Sequence, residues 1–350
     1  MRKFSLLMAI VFAGFAAMAQ DPSIKGLQAT AEKKLDDDTT HKVGWKRGGY
    51  VSLGIGQGSS SNWAAGAETF SMSLSGAATL FSNYKKNKFN WKNSLDLAYG
   101  FVNTTSQGTR KTDDKIDLYS KATHDLSKTW SLGMVGNFRT QFSSGFDYNY
   151  LGKDLQRRTS DFMAPGFLVL APGFDWHPSS YFSVFLSPVS GRFILVTNDP
   201  KSYYFKNGVI PDSIVATPDF ETPLSVLYGV DPARKVRSEV GGFASATFAK
   251  EIAKNVALKS RLDLYSNYLG TYNFEVTGPD QLEITKVGAT PQKVDLFWTN
   301  LLVMKVNRFL NVSFSMDIIY DDDVRQFGTN NNSAATQFRS QLTVGFSTKF

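Results

Sequence analysis

Three histidines, His41, His124 and His177, are the whole imidazole supply of this chain, and cysteine is absent. Without Cys there is no disulfide, no thiolate nucleophile and no thiolate metal site. His177-Pro178-Ser179 has a spacing at which an imidazole could activate a serine hydroxyl against an ester. Its setting argues otherwise: a Pro-containing turn between Trp176 and Tyr181 reads as an interfacial turn. His124 shares the parity of Ile116, Leu118 and Ala122 close to another turn and reads as an interfacial anchor. His41 lies in a charged N-terminal stretch. Asp321-Asp322-Asp323 could hold a hard cation through oxygen ligands. The run lacks the spaced ligands and glycine of a calcium loop, so it reads as a solvated turn, as does Asp36-Asp37-Asp38. No acid–base pair stands out, so neither catalysis, nor a cofactor, nor a metal is expected.

A larger set of charges shares one alternating parity: Lys92, Asp96, Asp117, Lys121, Arg139, Glu239, Arg261, Asp263, Asp295, Lys305, Asp317 and Arg339. Facing a narrow interior, charges of both signs either pair across it and seal it or line a small aqueous path. The sealed state is the expectation.

The elements that would position these residues are strands. Trp130, Leu132, Met134, Phe138 and Phe142 share one face, with Ser131, Gly133, Asn137, Arg139 and Gln141 on the other. Phe89–Phe101 and Leu310–Tyr320 repeat the pattern. About twelve strands are predicted, beginning near Tyr50, Thr69, Lys88, Lys115, Trp130, Phe162, Tyr181, Arg237, Val256, Lys293, Leu310 and Thr336. Short turns are expected at 83–87, 127–129, 177–180, 250–255 and 307–309. Long loops are expected at 57–68, 104–114, 143–161, 198–236, 273–292 and 321–335. Short turns on one side and long loops on the other imply an all-β fold, a transmembrane antiparallel up-and-down β-barrel of the outer membrane. Trp91, Trp130, Trp176 and Phe309 sit beside the short turns, where an aromatic belt belongs. Tyr99, Phe101, Phe142, Tyr268 and Tyr320 sit near the other ends. The chain has 28 Phe and 14 Tyr, which suits strands apolar on one face.

Arg2 and Lys3, the apolar run Phe4–Phe15 and the small residues Ala17 and Ala19 read as a signal peptide over residues 1–19. Residues 20–47 are then a periplasmic leader or plug, and residues 48–350 the barrel, with both termini in the periplasm. The formal charge is +7, and no Lys/Arg run points to nucleic acid. Leu342, Val344, Phe346 and the terminal Phe350 look like the closing-strand signal that barrel-assembly machinery reads. Outer-membrane lipid and lipopolysaccharide are the other expected partners.

Four stretches resemble a known family, the Bacteroidetes barrels catalogued as domain of unknown function 3078. They are Ser61-Asn62-Trp63-Ala64-Ala65-Gly66, Leu186-Ser187-Pro188-Val189-Ser190-Gly191-Arg192, the run Leu258–Tyr268, and Ile319-Tyr320-Asp321-Asp322-Asp323. The resemblance runs from about Trp45 to Phe350. It implies an outer-membrane location and no settled activity. A non-enzymatic narrow channel or envelope scaffold is the leading expectation. A lipid or lipopolysaccharide hydrolase built on His177 and Ser179 comes second, and a surface binding module using the loop 198–236 comes third.

Overall fold

The computed structural model describes residues 43–61, 68–215, 219–305, 310–322, 334–346 and 348–349. The chain order is β1 (Gly44–Ser59), β2 (Phe70–Lys86), β3 (Phe89–Thr104), β4 (Gly108–Asp125), β5 (Trp130–Thr140), β6 (Gly145–Tyr150) and β7 (Leu155–Ser160). It continues with β8 (Gly166–Ser179), β9 (Phe182–Leu195), β10 (Val209–Ile210), β11 (Asp219–Phe220), the one-turn helix α1 (Leu224–Leu227), β12 (Val236–Ala253) and β13 (Val256–Asn267). Then follow β14 (Thr271–Gly278), β15 (Gln281–Val287), β16 (Val294–Lys305), β17 (Leu310–Tyr320), β18 (Gln337–Phe346) and β19 (Thr348–Lys349). Among the described residues the main sheet holds 13 strands in the order β18-β17-β16-β13-β12-β9-β8-β5-β4-β3-β2-β1-β19. All its pairings are antiparallel. Only residue 347 separates β18 from β19, and β19 pairs with β1 at Tyr50↔Lys349 and Val51↔Thr348.

The alternation of side chains is the physical reason for this sheet. Along β5, Trp130, Leu132 and Met134 are exposed while Ser131, Val135 and Asn137 are buried. Large apolar side chains recur on the exposed outer face, among them Leu118, Phe174, Leu186, Trp298 and Phe314. Water would oppose so broad an apolar surface, since soluble monomers rarely expose patches beyond a few hundred Å². Near the short turns the outer face is aromatic. Trp45 lies 5.1 Å from Tyr84 and 5.7 Å from Trp91, and Trp130 lies 6.3 Å from Trp176. The indole N–H of Trp91 donates to Ser120 Oγ and that of Trp298 to Ser260 Oγ, each at 2.9 Å, which satisfies both on an otherwise apolar face.

The short turns are tight because their residues permit it. Asn87 and Asn255 take left-handed φ of 52° and 62°, a conformation Asn tolerates better than most side chains. The expected long loops differ in kind. Residues 104–114 are a hairpin, with β3 ending at Thr104 and β4 starting at Gly108. The segment 143–161 contains the hairpin β6–β7, and 273–292 falls mostly within β14–β15. Tyr272, Phe274 and Val276 alternate there as in any strand, and the polar spacers between them gave the loop reading. The sheet begins at Gly44, inside the stretch read as leader, with Trp45 opposite Tyr84. The turn expected at 177–180 is also shorter: β8 runs through Ser179, which pairs with Phe182.

One irregularity changes which residues face inward. In β9, Phe185 and Ser187 are buried, Pro188 and Val189 are both exposed, and burial resumes at Ser190, Arg192 and Ile194. The register slips there against both neighbours, β8 and β12. This is a β-bulge, a place where a strand accepts proline. Ser187 Oγ donates to the Pro172 carbonyl at 2.6 Å, and Ser190 Oγ donates to the Gly241 carbonyl at 2.9 Å. Gly173 lies against the same bulge: a Cβ there would run into the Leu186 carbonyl oxygen.

Candidate functional site

The inner face of the sheet carries the charges. On a flat sheet, strands five positions apart stand about 24 Å from one another, at roughly 4.8 Å per strand. Arg261 on β13 nonetheless lies 5.3 Å from the ring of Tyr119 on β4, and Arg139 on β5 lies 4.8 Å from the ring of Phe297 on β16. The sheet therefore curls until side chains from distant strands meet across its interior.

Three layers of contact follow the strands from the short-turn end upward. In the lowest, Lys121 Nζ on β4 donates to Asp175 Oδ1 on β8 at 2.6 Å and lies 5.3 Å from the Phe185 ring. In the middle, Asp117 accepts from Asn137 at 2.6 Å and faces Arg139 at 3.4 Å and Lys115 at 3.7 Å. Arg139 reaches Asp263 at 3.8 Å; Asp263 also holds Arg261 at 2.7 Å and accepts from Ser245 at 2.6 Å. Val135, Ala171, Phe185, Phe243 and Tyr265 pack as an apolar cluster among these charges, with Tyr119 and Val169 against it. In the upper layer Arg192 is the hub. It meets Glu239 at 2.5 Å, Asp295 at 2.7 Å and Asp321 at 3.6 Å, and its guanidinium sits 4.3 Å over the Tyr265 ring. Arg237 completes this layer with a second bond to Glu239. Guanidinium groups suit such positions, because their forked donors engage several carboxylates while the plane stacks on an aromatic face.

Of the charges chosen from sequence, Asp117, Lys121, Arg139, Glu239, Arg261, Asp263 and Asp295 enter these layers. Lys92 and Asp96 sit on β3 opposite Lys121 and Asp117 in the register. Lys305 lies on β16, and Asp317 on β17 pairs in register with Arg339 on β18; the side chains of these three lie outside the described residues. Arg192 was absent from that set because the bulge reverses its parity. Pro188 inside an otherwise alternating strand was the available signal. Asp175 precedes the expected turn and shares the buried parity of Ala171 and Gly173, opposite Phe174 and Trp176, so the alternation of β8 was the signal that could have found it. The inward aromatics Tyr119, Phe185, Phe243 and Tyr265 were missed because a polar interior was assumed throughout.

His177 points inward with Nδ1 3.7 Å from Asp175 Oδ2, while the other carboxylate oxygen of Asp175 is held by Lys121. No hydrogen bond joins it to Ser179. Asp321 and Asp322 are engaged by cations of the chain, Asp322 by Lys293 at 2.7 Å. Asp323, Phe350 and residues 1–42, Ala17, Ala19 and His41 among them, lie outside the described residues, as does Phe309. Leu342, Val344 and Phe346 fall in β18, and their side chains lie outside the described ones.

Above the upper layer the long connection from β9 to β12 folds inward. Leu224 and Leu227 of α1, with Val230, pack on Ala164, Ile194 and Val196, and Phe167 and Tyr228 cover the cluster. Tyr228 Oη donates to the Thr159 carbonyl at 2.9 Å, and Ser225 N donates to the Pro200 carbonyl at 3.2 Å. Glu221 is buried in this lid, and its Oε2 accepts from the backbone N–H of Tyr204 at 2.6 Å and of Phe205 at 2.9 Å. Burial pushes its carboxyl above the usual carboxylate range; the two N–H groups and nearby Arg157 partly offset this.

What the fold and its charged interior define is a large, curled antiparallel sheet with an apolar outer face. Residues 55–146 match the family model described as a protein of unknown function, DUF3078, the family that the four sequence stretches resemble. No curated protein matches the chain. Among solved structures it is similar to an outer membrane channel from Pseudomonas putida F1, at 13% identity and a TM-score of 0.37, covering 90% of this chain and 98% of that one. It is also similar to the translocator domain of the autotransporter NalP from Neisseria meningitidis, at 11% identity, a TM-score of 0.34 and 95% and 100% coverage. The NanC porin gives 12%, 0.32, and 87% and 99%.

Proposed function

We propose that this chain is a non-enzymatic outer-membrane β-barrel forming a narrow channel that is closed at rest. The sheet closes through β1 and the C-terminal strand, and the two residue pairs between β1 and β19 support that closure. A closed barrel is what lets strands cross lipid with every backbone group paired. Short turns face the periplasm, long connections face outward, and both termini lie inside. Lys92, Asp96, Asp117, Lys121, Arg139, Glu239, Arg261, Asp263, Asp295, Lys305, Asp317 and Arg339 line the lumen together with Arg192.

The observation that carries the closed state is the contact of side chains across the interior, from Tyr119 to Arg261 and from Arg139 to Phe297. Rings and guanidinium groups fill the space that a water column needs. The lid formed by α1 adds a second barrier at the outer mouth. The position of His177 beside inward-facing Asp175 argues against the hydrolase, because a base and its serine acting on membrane lipid have to reach an ester presented from the outer face.

Planar-bilayer recording of the protein without its signal peptide tests the proposal. Little or no steady conductance is expected. Replacing Leu224 and Leu227 by Asp should raise the frequency of brief openings by loosening the lid, with a weak preference for anions from the basic excess in the interior. Large, continuously open currents from the unmodified protein would overturn the closed state and make it a general porin.

A further inference from the structure

At the loop end the β6–β7 hairpin and the segment following β9 border an open cleft of about 870 Å³, lined in part by Phe146, Gln156, Arg158, Asp199, Tyr204 and Lys206. Its size falls within the range of about 300–1,000 Å³ common to small-molecule sites. Two aromatic rings stand open in it, Phe146 at 38% and Tyr204 at 43% exposure. Phe146 lies on β6, in a separate hairpin, and Tyr204 in the connection after β9, so neither belongs to the apolar outer face of the main sheet.

The cleft is built on a fixed base. Tyr150 is buried beneath it, its centroid 6.2 Å from Phe205 and 6.4 Å from Tyr204, with the Arg157 guanidinium 4.1 Å over its ring. Tyr204 and Phe205 meet edge to face at 4.9 Å, and Glu221 clamps both of their backbone N–H groups. On the rim Arg158 is held by Asp161 at 2.7 Å and by Asp199, whose side chain remains 57% exposed. Lys206 has no ion-pair partner among the described residues.

We propose that this cleft is a saccharide-binding site. A sugar ring has one face of C–H groups, which the negative face of an aromatic ring attracts, and a rim of hydroxyls that need paired donors and acceptors. Tyr204 and Phe146 supply the rings. Asp199, fixed by Arg158 and still largely exposed, supplies an acceptor. Gln156 adds an amide, and Lys206 gives a preference for a sugar bearing a carboxylate. Nucleic acid is disfavoured because the cations of the cleft are largely matched by carboxylates. The site works whether or not the barrel conducts, so its test reads binding and not current.

The experiment uses the protein without its signal peptide in an amine-oxide detergent, whose head group is not a sugar. Maltotriose, cellotriose and the trimer of galacturonic acid are offered separately, and saturation-transfer NMR reads contact with the ring protons. At least one should bind, the galacturonate trimer most tightly. Tyr204→Ala and Asp199→Asn should each weaken binding tenfold or more with heat-modifiability unchanged, and Tyr204→Phe should retain it. Displacement of the bound trimer by purified lipopolysaccharide would make the surrounding membrane the source of the sugar; persistence of binding would point to a soluble glycan. Failure of all three at about 10 mM, or binding indifferent to both Tyr204→Ala and Asp199→Asn, would overturn the proposal. Should Tyr204→Ala fail to fold, Asp199→Asn on the exposed rim decides.

Discussion

Replacing Arg192 by Met should expose how dry the interior is. The side chain keeps an apolar stem over Tyr265 and loses the charge that faces Glu239 at 2.5 Å and Asp295 at 2.7 Å. Arg192 and Glu239 have side chains only 9% and 2% exposed. Removing one partner of such a buried pair costs about 3–5 kcal/mol, because the other charge stays behind without compensation. Arg237 still faces Glu239, which places the expectation near the lower end, about 3 kcal/mol. At 1.4 kcal/mol per decade that is on the order of a hundredfold in the folded-to-unfolded ratio. The assay is urea unfolding of the refolded protein in lipid vesicles, followed by tryptophan fluorescence and by heat-modifiable mobility. Adding Glu239→Gln should recover part of the loss, with a coupling of about 0.5–3 kcal/mol between the two positions. Were the lumen water-filled, the pair would behave like an exposed one, worth about 0–1 kcal/mol. A loss of less than about 0.5 kcal/mol for Arg192→Met would therefore refute the sealed interior.

Glu221, whose carboxyl burial pushes upward, makes the lid sensitive to pH. The folded state binds a proton that the unfolded chain has released, so lid stability falls as pH rises from about 4 through the raised value. Amide exchange at Tyr204 and Phe205, corrected for intrinsic rates, should show this loss, and Glu221→Gln should flatten it. Gly173→Ala should cost about 1–3 kcal/mol, since the new methyl meets the Leu186 carbonyl and both sit in paired backbone; an unchanged urea midpoint would mean that the bulge is soft. For orientation, the absence of native cysteine makes single Cys probes clean. A Cys at Lys153 should react with an impermeant maleimide on intact cells and one at Lys128 should not, and the opposite pattern would invert the assignment of the two ends. Deleting Phe350 should lower the amount of heat-modifiable barrel in the outer membrane at native expression, because the closing strand loses its terminal ring; normal assembly would count against a C-terminal signal.

Period-two alternation is a local property, and it was enough to place the long strands of the main sheet. Trp130, Leu132 and Met134 announce their common face with no knowledge of any partner, because successive side chains of an extended chain must diverge. Turn chemistry is local too, which is why Asn87 and Asn255 mark hairpin reversals and why the alternation of short and long connections was readable. The hairpins β6–β7 and β14–β15 were read as loops because their strands are short and polar-spaced, and a short strand is stabilised by its partner more than by its own pattern. Only the tertiary structure decided which inward charges meet. Arg139 finds Asp263 and Phe297, and Arg261 finds Tyr119, across the curvature of the whole sheet. It alone decided that Arg192 faces inward, since one bulge at Pro188-Val189 reverses every later residue of β9. It decided too where α1 packs, because Leu224 and Leu227 bury against Ile194 and Val196, at and just after the end of β9, only once the intervening connection folds back. Alternation fixes a face residue by residue; register, bulge and closure are relations between strands, and no single strand contains them.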